Sequence, residues 1–119
     1  MRPKLVLVVE DEFDLRSFVE LVLQQEGYRV TTAANGVEAL KEIDREKPAL
    51  ILLDMRMPIM DGWQFIAELR AKEDGGIPIV VMTAHYDAQT VANQLKVKGF
   101  LSKPFEIDEL LHSVERYAA

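Results

Sequence analysis

Cysteine is absent from the 119-residue chain. This excludes disulfide frameworks and zinc or iron–sulfur sites that are built on cysteine ligands. Long apolar runs are also missing, because no stretch reaches the roughly 18 residues that suggest a membrane-spanning helix. The apolar segment near Met1 is soon interrupted by Glu10 and is too short for a secretory signal. We therefore expect a soluble protein in the cytoplasm.

Histidine and positive charge are both scarce. The chain has two histidines, and its 14 Lys and Arg residues face 20 Asp and Glu residues, which gives a net charge of -6. The two histidines show no zinc-ligand spacing. An acidic surface repels the nucleic-acid backbone, so direct DNA binding is not expected. The 49% of hydrophobic residues suffice for one compact domain, which we expect to span residues 1–119.

Two hydrophobic patterns alternate along the chain. Short apolar runs predict strands that are buried on both faces of a parallel sheet. The strand candidates are 5–9, 28–32, 50–53, 79–82 and 99–102, of which the second and fifth are less apolar and suit edge strands. Apolar residues at helical spacing fill the intervals. The order βαβαβαβαβα predicts an α/β domain with a parallel sheet.

The helical spacing is clearest in three of the five intervals. Those three sets are Leu15, Phe18, Val19 and Val22; Ala88, Val91, Ala92 and Leu95; and Ile107, Leu110, Leu111 and Val114. Gly27 is placed to end the first helix, since glycine tolerates the left-handed cap conformation. Asn35–Gly36 is a plausible start for the second helix.

Polar side chains follow four of the five predicted strands. Glu10, Asp11 and Glu12 follow the first strand, Asp54 the third, Thr83 the fourth and Lys103 the fifth. Open α/β sheets bind ligands beyond the carboxyl ends of their strands. If these four strands are neighbours, the side chains converge on one edge of the sheet.

Each of these residues also has a simpler interpretation. Asp11 suits a helix cap, Thr83 suits a helix cap or a turn, and Lys103 suits a solvated loop. Asp54 is harder to explain in this way, because it follows four apolar residues and a buried carboxylate needs a partner. A shared site explains the whole set better than coincidence does.

The carboxylates in this set predict a metal ion. Two unit charges 4 Å apart repel by roughly 4 kcal/mol at an effective dielectric of about 20, so clustered carboxylates should recruit a cation. All-oxygen ligands favour Mg²⁺ over zinc, and Mn²⁺ is a plausible substitute. A carboxylate beside Mg²⁺, with a hydroxyl and an ammonium nearby, suits phosphoryl transfer through an acyl phosphate.

In these features the sequence resembles the response-regulator receiver family, the CheY-like domains of two-component signalling. The resemblance covers nearly the whole chain, and the order and spacing of its motifs are highly specific. The matching segments are 8–12 (Val-Val-Glu-Asp-Glu), 53–62 (Leu-Asp-Met-Arg-Met-Pro-Ile-Met-Asp-Gly), 82–84 (Met-Thr-Ala) and 103–105 (Lys-Pro-Phe). The resemblance implies a flavodoxin-like (βα)5 fold with strand order 2-1-3-4-5.

The resemblance also implies roles for matching residues. Asp54 is the expected phosphoacceptor, which ligates Mg²⁺ together with Asp11 and the backbone carbonyl of Arg56, while Glu10 acts through water. Lys103 is expected to pair with the carboxylate or phosphoryl group and to precede a cis peptide bond. Thr83 is expected to follow the phosphoryl group, and Phe100 to rotate inward with it.

The implied partners are proteins. The expected phosphoryl donor is a histidine kinase or a histidine phosphotransfer protein, and the downstream effector is not named by the sequence. We expect no membrane or nucleic-acid partner, no enzymatic turnover beyond slow self-dephosphorylation, and a switching surface on helix four, strand five and helix five. Arg56 and His85 lie at positions that tune dephosphorylation in the family; exposed polar residues are the simpler interpretation.

Besides the rim pair Arg56 and His85, one further departure and three alternatives accompany the resemblance. The segment from Thr83 to Lys103 is shorter than the family pattern, which leaves the length of helix four open. A hydrolase with Asp54 as nucleophile often has an aspartate two residues later, where this chain has Arg56. A phosphate-independent docking module is free to lose the acidic residues or Lys103, and a flavodoxin needs a phosphate-cradling loop that the chain lacks.

Overall fold

The computed structural model describes residues 3–72 and 76–118, apart from the side chains of residues 85–88. Strands and helices alternate throughout this part of the chain. The elements are β1 (Leu5–Val9), α1 (Phe13–Gln25), β2 (Arg29–Ala33), α2 (Gly36–Arg45), β3 (Leu50–Asp54), α3 (Gly62–Ala71), β4 (Ile79–Ala84), α4 (His85–Leu95), β5 (Gly99–Lys103) and α5 (Ile107–Tyr117). The predicted order of elements is confirmed.

The strands form one parallel sheet in the order β2-β1-β3-β4-β5. This is the flavodoxin-like order that the resemblance implies. The three central strands are the continuous apolar runs, and every residue of β1 and β3 is buried. The mixed segments became the edge strands β2 and β5, as predicted. The chain therefore reverses its direction of sheet growth between β1 and β3, where such folds place their ligands.

Two apolar clusters fill the space on the two faces of the sheet. Successive strand residues point to opposite faces, so Leu7 and Leu53 join one cluster while Val8 and Leu52 join the other. The first cluster packs against α2, α3 and α4, and the second packs against α1 and α5. The domain therefore has three layers, with the sheet in the middle.

Local signals at the helix ends behave largely as predicted. Gly27, directly after the C-cap of α1, has φ 93°, and the side chain of Asn35 accepts the amide of Glu38 at the start of α2. The predicted apolar face of α1 is partly wrong, because Phe18 is exposed. The buried residues of this helix are Val19, Val22 and Leu23, so the buried stripe is centred one position further along and leaves Phe18 at its border.

The shortened segment before β5 ends α4 abruptly. Lys96 adopts a left-handed conformation with φ 55°, and the amide of Val97 donates to the carbonyl of Ala92. The guanidinium of Arg70 donates to the carbonyl of Leu95 at 2.5 Å. α4 therefore has 11 residues and a defined end. Among the described helices, none combines the length and apolarity needed to cross a membrane.

Candidate functional site

A cavity of about 580 Å³ lies at the carboxyl ends of β1, β3, β4 and β5. Its lining residues are Glu10, Asp11, Glu12, Asp54, Arg56, Thr83, Ala84 and Lys103. Because these four strands are neighbours in the sheet, their ends bring the polar groups together. β2 is the outer strand beyond β1 and contributes none of these residues. The convergence that the sequence predicted is therefore present.

Three carboxylates form the floor of the cavity. Glu10 is 1% exposed, Asp54 is 5% exposed, and Asp11 lies at the open side. Each offers an oxygen, and these oxygens all lie within 4.8 Å of one another. An all-oxygen donor set of clustered carboxylates fits a hard divalent cation such as Mg²⁺.

The buried position of these groups shifts their protonation. Burial raises the pKa of Glu10 to about 7; the hydrogen bond from Lys103 opposes this shift, and the charge of Asp54 adds to it. Burial also raises the pKa of Asp54, although the charge of Lys103 and the amide of Arg56 act against it. The cluster is therefore costly to keep fully ionised without a further positive charge.

Lys103 supplies one positive charge to the cluster. Its Nζ lies 2.7 Å from Oε1 of Glu10 and 3.4 Å from Oδ1 of Asp54. Burial lowers the pKa of Lys103, but the two carboxylates outweigh this effect and raise it overall. The Lys103–Pro104 peptide bond is cis, as the resemblance implies. Lys103 is thus a partner of the site carboxylates and not a solvated loop lysine.

The loop between β3 and α3 surrounds Asp54. The amide of Arg56 donates to Oδ1 of Asp54 at 3.3 Å, and the amide of Gly62 donates to the carbonyl of Met55 at 3.0 Å. A Cβ atom on Gly62 would lie 2.6 Å from the sulfur of Met55, so only glycine fits there without a shift. The Ile59 side chain is 79% exposed, and its φ of 68° is unusual for a β-branched residue.

The capping alternatives are wrong for Asp11 and Thr83. The N-cap of α1 is Glu12 and that of α4 is Ala84. Asp11 instead belongs to the carboxylate cluster, and Thr83 is buried in the lining of the cavity. Both residues therefore lie in the lining of the cavity at the carboxyl ends of the strands.

The remaining predicted residues have mixed positions. Arg56 lines the cavity, which fits the predicted use of its carbonyl without testing it. Phe100 lies on β5, away from the cavity, and is 41% exposed. It lines a second cavity of about 290 Å³ on the α4, β5 and α5 side. The side chain of His85 lies outside the described residues, so its rate-tuning role stays a prediction.

One residue near the site escaped the sequence reasoning. The guanidinium of Arg16, on α1, donates to the backbone carbonyl of Glu10 at 2.8 Å. The signal in the sequence was weak: a basic residue shortly after the acidic triplet 10–12. A contact to a backbone carbonyl leaves no trace in the residue pattern of its partner.

Comparisons with known proteins agree with this geometry. The family model described as "Response regulator receiver domain" matches residues 6–115. The chain is 33% identical over 114 residues to sporulation initiation phosphotransferase F of Bacillus subtilis, and the match covers 94% of this chain and 91% of that protein. It is 38% identical to the transcriptional regulatory protein GlrR of Escherichia coli, covering 96% of this chain but only 26% of that protein.

Solved structures give the same result. The chemotaxis protein CheY4 of Vibrio cholerae superposes with a TM-score of 0.87 at 31% identity, covering 97% of this chain and 98% of that one. The receiver domain of sensor histidine kinase PA1611 from Pseudomonas aeruginosa, solved with a magnesium ion coordinated in its active-site cleft, has a TM-score of 0.87 at 33% identity and covers 98% of both chains. The chain therefore belongs to the response regulator receiver domain family of two-component signalling.

Proposed function

We propose that the chain accepts a phosphoryl group on Asp54 in a Mg²⁺-dependent reaction and passes the resulting change to a partner protein. The observation that carries this proposal is the position of Asp54. The residue is 5% exposed and lines the cavity, its carboxylate clusters with those of Glu10 and Asp11, and the ammonium of Lys103 lies 3.4 Å from its Oδ1. A carboxylate can act as a nucleophile toward a phosphoryl group, and a divalent cation together with the ammonium would offset the negative charges that meet there.

The residues that would hold Mg²⁺ are those that the resemblance implies. Asp11, Asp54 and the backbone carbonyl of Arg56 would ligate the ion directly, and Glu10 through water. When bound, Mg²⁺ supplies positive charge that stabilises the transferring phosphoryl oxygens. The carboxylate cluster supports this assignment, and Mn²⁺ would be accepted by the same oxygen donors.

Transfer of the phosphoryl group to Asp54 would be a displacement at phosphorus. An Asp54 carboxylate oxygen forms the new O–P bond while the P–N bond to the donor imidazole breaks and its electron pair stays on nitrogen. Lys103 is near enough to Asp54 to hold a phosphoryl oxygen. The donor would be a histidine kinase or a histidine phosphotransfer protein, as two-component systems use.

The product would act as a switch. Thr83 would donate its hydroxyl to a phosphoryl oxygen, and Phe100 would leave its exposed position and fill the space behind Thr83. The surface of α4, β5 and α5 would then change its preference for an effector protein. Slow hydrolysis of the acyl phosphate would reset the domain, with Arg56 and His85 as the residues that tune its rate.

A direct test uses a small phosphodonor in place of the kinase. The protein is incubated with acetyl phosphate and Mg²⁺, and its intact mass is measured before and after treatment with hydroxylamine, which cleaves acyl phosphates. The wild type should gain one phosphoryl group that hydroxylamine removes, and Asp54→Ala should gain none. Asp14→Asn, a change in an exposed carboxylate of α1, is the matched control and should react like the wild type. Equal labelling of Asp54→Ala would refute the assignment.

A further inference from the structure

The guanidinium of Arg16 contacts the main chain of residues 10–12, the acidic loop that follows β1. Arg16 is half-buried in α1, and its Nη1 donates to the carbonyl of Glu10 at 2.8 Å, with a longer contact of 3.4 Å to the carbonyl of Asp11. These two residues carry two of the three clustered carboxylates. Arg16 therefore contacts the backbone of the acidic loop and leaves the carboxylate oxygens themselves available.

The aromatic ring of Phe13 lies against the guanidinium of Arg16. The guanidinium carbon lies 5.5 Å from the centre of the Phe13 ring, which is within cation–π range. Phe13 is 67% exposed and belongs to neither apolar cluster, so core packing does not explain it. The ring covers one side of the guanidinium and restricts the conformations in which Arg16 can leave the loop.

Two of the cations near the site, Lys103 and Arg16, differ in what they contact. Lys103 bonds to the Glu10 carboxylate and lies beside that of Asp54, so it occupies oxygens that a metal ion would use. Arg16 binds main-chain carbonyls instead. A positive charge in that position offsets the repulsion within the carboxylate cluster without blocking its open side.

The acidic loop leads into a weakly capped start of α1. Glu12 is the N-cap and makes no side-chain cap hydrogen bond. The described contacts of the loop include the Glu10 amide on the carbonyl of Ala33, the Glu12 amide and Lys103 on the Glu10 carboxylate, the Arg16 amide on the carbonyl of Glu12, and the Arg16 guanidinium. The bond from the Glu12 amide uses a carboxylate of the cluster itself, so it cannot fix the loop independently of the site.

We propose that Arg16, held in place by the ring of Phe13, is a positioning residue for the divalent-cation site. It fixes the carbonyls of residues 10 and 11 so that the carboxylates of Glu10 and Asp11 converge, and it offsets their mutual repulsion. This inference rests on the proposed use of these carboxylates as the Mg²⁺ site.

The test is direct calorimetric titration of Mg²⁺ into the metal-free protein. Residues that orient metal ligands typically change metal affinity about tenfold or more, so Arg16→Ala should weaken Mg²⁺ binding by roughly tenfold. Arg16→Lys should recover part of the affinity. Arg16→Gln keeps a donor without the charge and separates the two contributions. Phe13→Ala should weaken binding less than Arg16→Ala does.

Arg70 provides a matched control. Its guanidinium also donates to a backbone carbonyl, that of Leu95, and it lines a pocket at the start of β4, away from the carboxylate cluster. Arg70→Ala should bind Mg²⁺ like the wild type. Circular dichroism at the titration temperature shows whether each variant is folded. If Arg16→Ala is unfolded, the Mg²⁺ affinities of Arg16→Lys and Arg16→Gln are compared with that of Arg70→Ala instead.

A kinetic readout separates positioning from a general structural role. In acetyl phosphate labelling, Arg16→Ala should need a higher Mg²⁺ concentration for half-maximal rate while reaching the same maximal rate. Wild-type Mg²⁺ affinity in the Arg16 variants, or an equal loss in Arg70→Ala, would overturn the inference. If the wild type itself bound no Mg²⁺ the proposed function would fail, whereas normal wild-type binding and labelling with unaffected Arg16 variants would remove only the role of Arg16.

Discussion

The two edge strands of the sheet are attached to the domain in different ways. β2 is fastened by polar side chains that take no part in the site. The guanidinium of Arg29 makes two parallel hydrogen bonds to Glu46, at 2.7 and 2.6 Å, and Thr31 donates to Glu42 at 2.5 Å. The carbonyl of Ala33, at the end of β2, accepts the amide of Glu10. Apart from this bond to the Glu10 main chain, the contacts described here for β2 involve no residue that lines the site cavity.

At β5 the described ion pairs are those of Lys103, and they run to Glu10 and Asp54. The strand also holds the exposed side chain of Phe100, and Tyr117 covers Gly99. The position of β5 is therefore tied to the charge balance of the site. A phosphoryl group on Asp54 would change that balance, so we expect β5 to respond more than β2.

The largest change in stability should come from removing the ion pairs of Lys103 at the end of β5. Lys103→Met leaves the Glu10 and Asp54 carboxylates without their ammonium partner. Removing one member of a buried ion pair is strongly destabilising, so the free energy of unfolding without metal should fall by about 3 kcal/mol at pH 8. Thermal unfolding with and without Mg²⁺ measures this, and Mg²⁺ should restore much of the loss. Lys98→Met, an exposed lysine just before β5, is the control; an equal loss there would contradict the comparison.

The second effect is a pH dependence that arises from Glu10. Because its folded pKa is raised to about 7 from 4.5, the folded state holds the proton more tightly than the unfolded state does. The stability from this group is complete below about pH 4.5 and lost as the pH rises through about 7, by on the order of 3 kcal/mol. The metal-free Glu10→Gln variant should not show this fall in stability as the pH rises, which urea unfolding at a series of pH values measures.

Saturating Mg²⁺ provides the internal control for that pH series. Metal binding requires ionised carboxylates, so neither the Mg²⁺-bound fold nor the unfolded chain holds the extra proton of Glu10, and the stability of the Mg²⁺-bound wild type should change little with pH over the same range. A wild-type slope without metal that equals the slope of Glu10→Gln would count against the raised pKa.

The third effect is a gain in stability. Burial raises the pKa of Asp54, which means that the fold favours a neutral group there. Asp54→Asn should therefore stabilise the metal-free protein by on the order of 1 kcal/mol and weaken Mg²⁺ binding. Calorimetric unfolding with and without Mg²⁺ tests both parts. An Asn variant that is less stable than the wild type without metal would be the opposite result.

The smallest effect should come from the β2 edge. Arg29→Ala removes a partly exposed ion pair and should cost no more than about 1 kcal/mol of stability. It should leave acetyl phosphate labelling and Mg²⁺ affinity unchanged, in contrast to Lys103→Met. Altered labelling in a folded Arg29→Ala protein would show that the two edges are less independent than their contacts indicate.

Much of this arrangement was readable from the sequence because it depends on periodic patterns. The continuous apolar runs of β1 and β3 identified strands buried on both faces, and the polar residues directly after them marked the carboxyl edge. The strand order came from the resemblance, since pairing between distant strands leaves little local signal. Given that order, the convergence of Asp11, Asp54 and Lys103 follows from geometry alone.

The parts that were missed depend on main-chain contacts and on the angular position of helices. Arg16 binds carbonyls, which every residue has, so nothing in its partners could reveal it. Phe18 lies a fraction of a turn away from the buried stripe of α1. Residue spacing alone does not resolve such a small angle around the helix. The end of α4 depends on Arg70 from a different helix, which no local pattern could show.

The left-handed backbone at Ile59 has a consequence for transplanting the acceptor loop into another scaffold. A β-branched residue avoids this conformation when left to itself, so the loop keeps its shape because neighbouring elements impose it. Gly62 fits against Met55, and Gly36 of α2 donates its amide to the carbonyl of Met60 at 3.0 Å. A graft of residues 54–62 alone would leave Gly36 behind, and the transplanted loop would be free to relax into a form that no longer frames its aspartate.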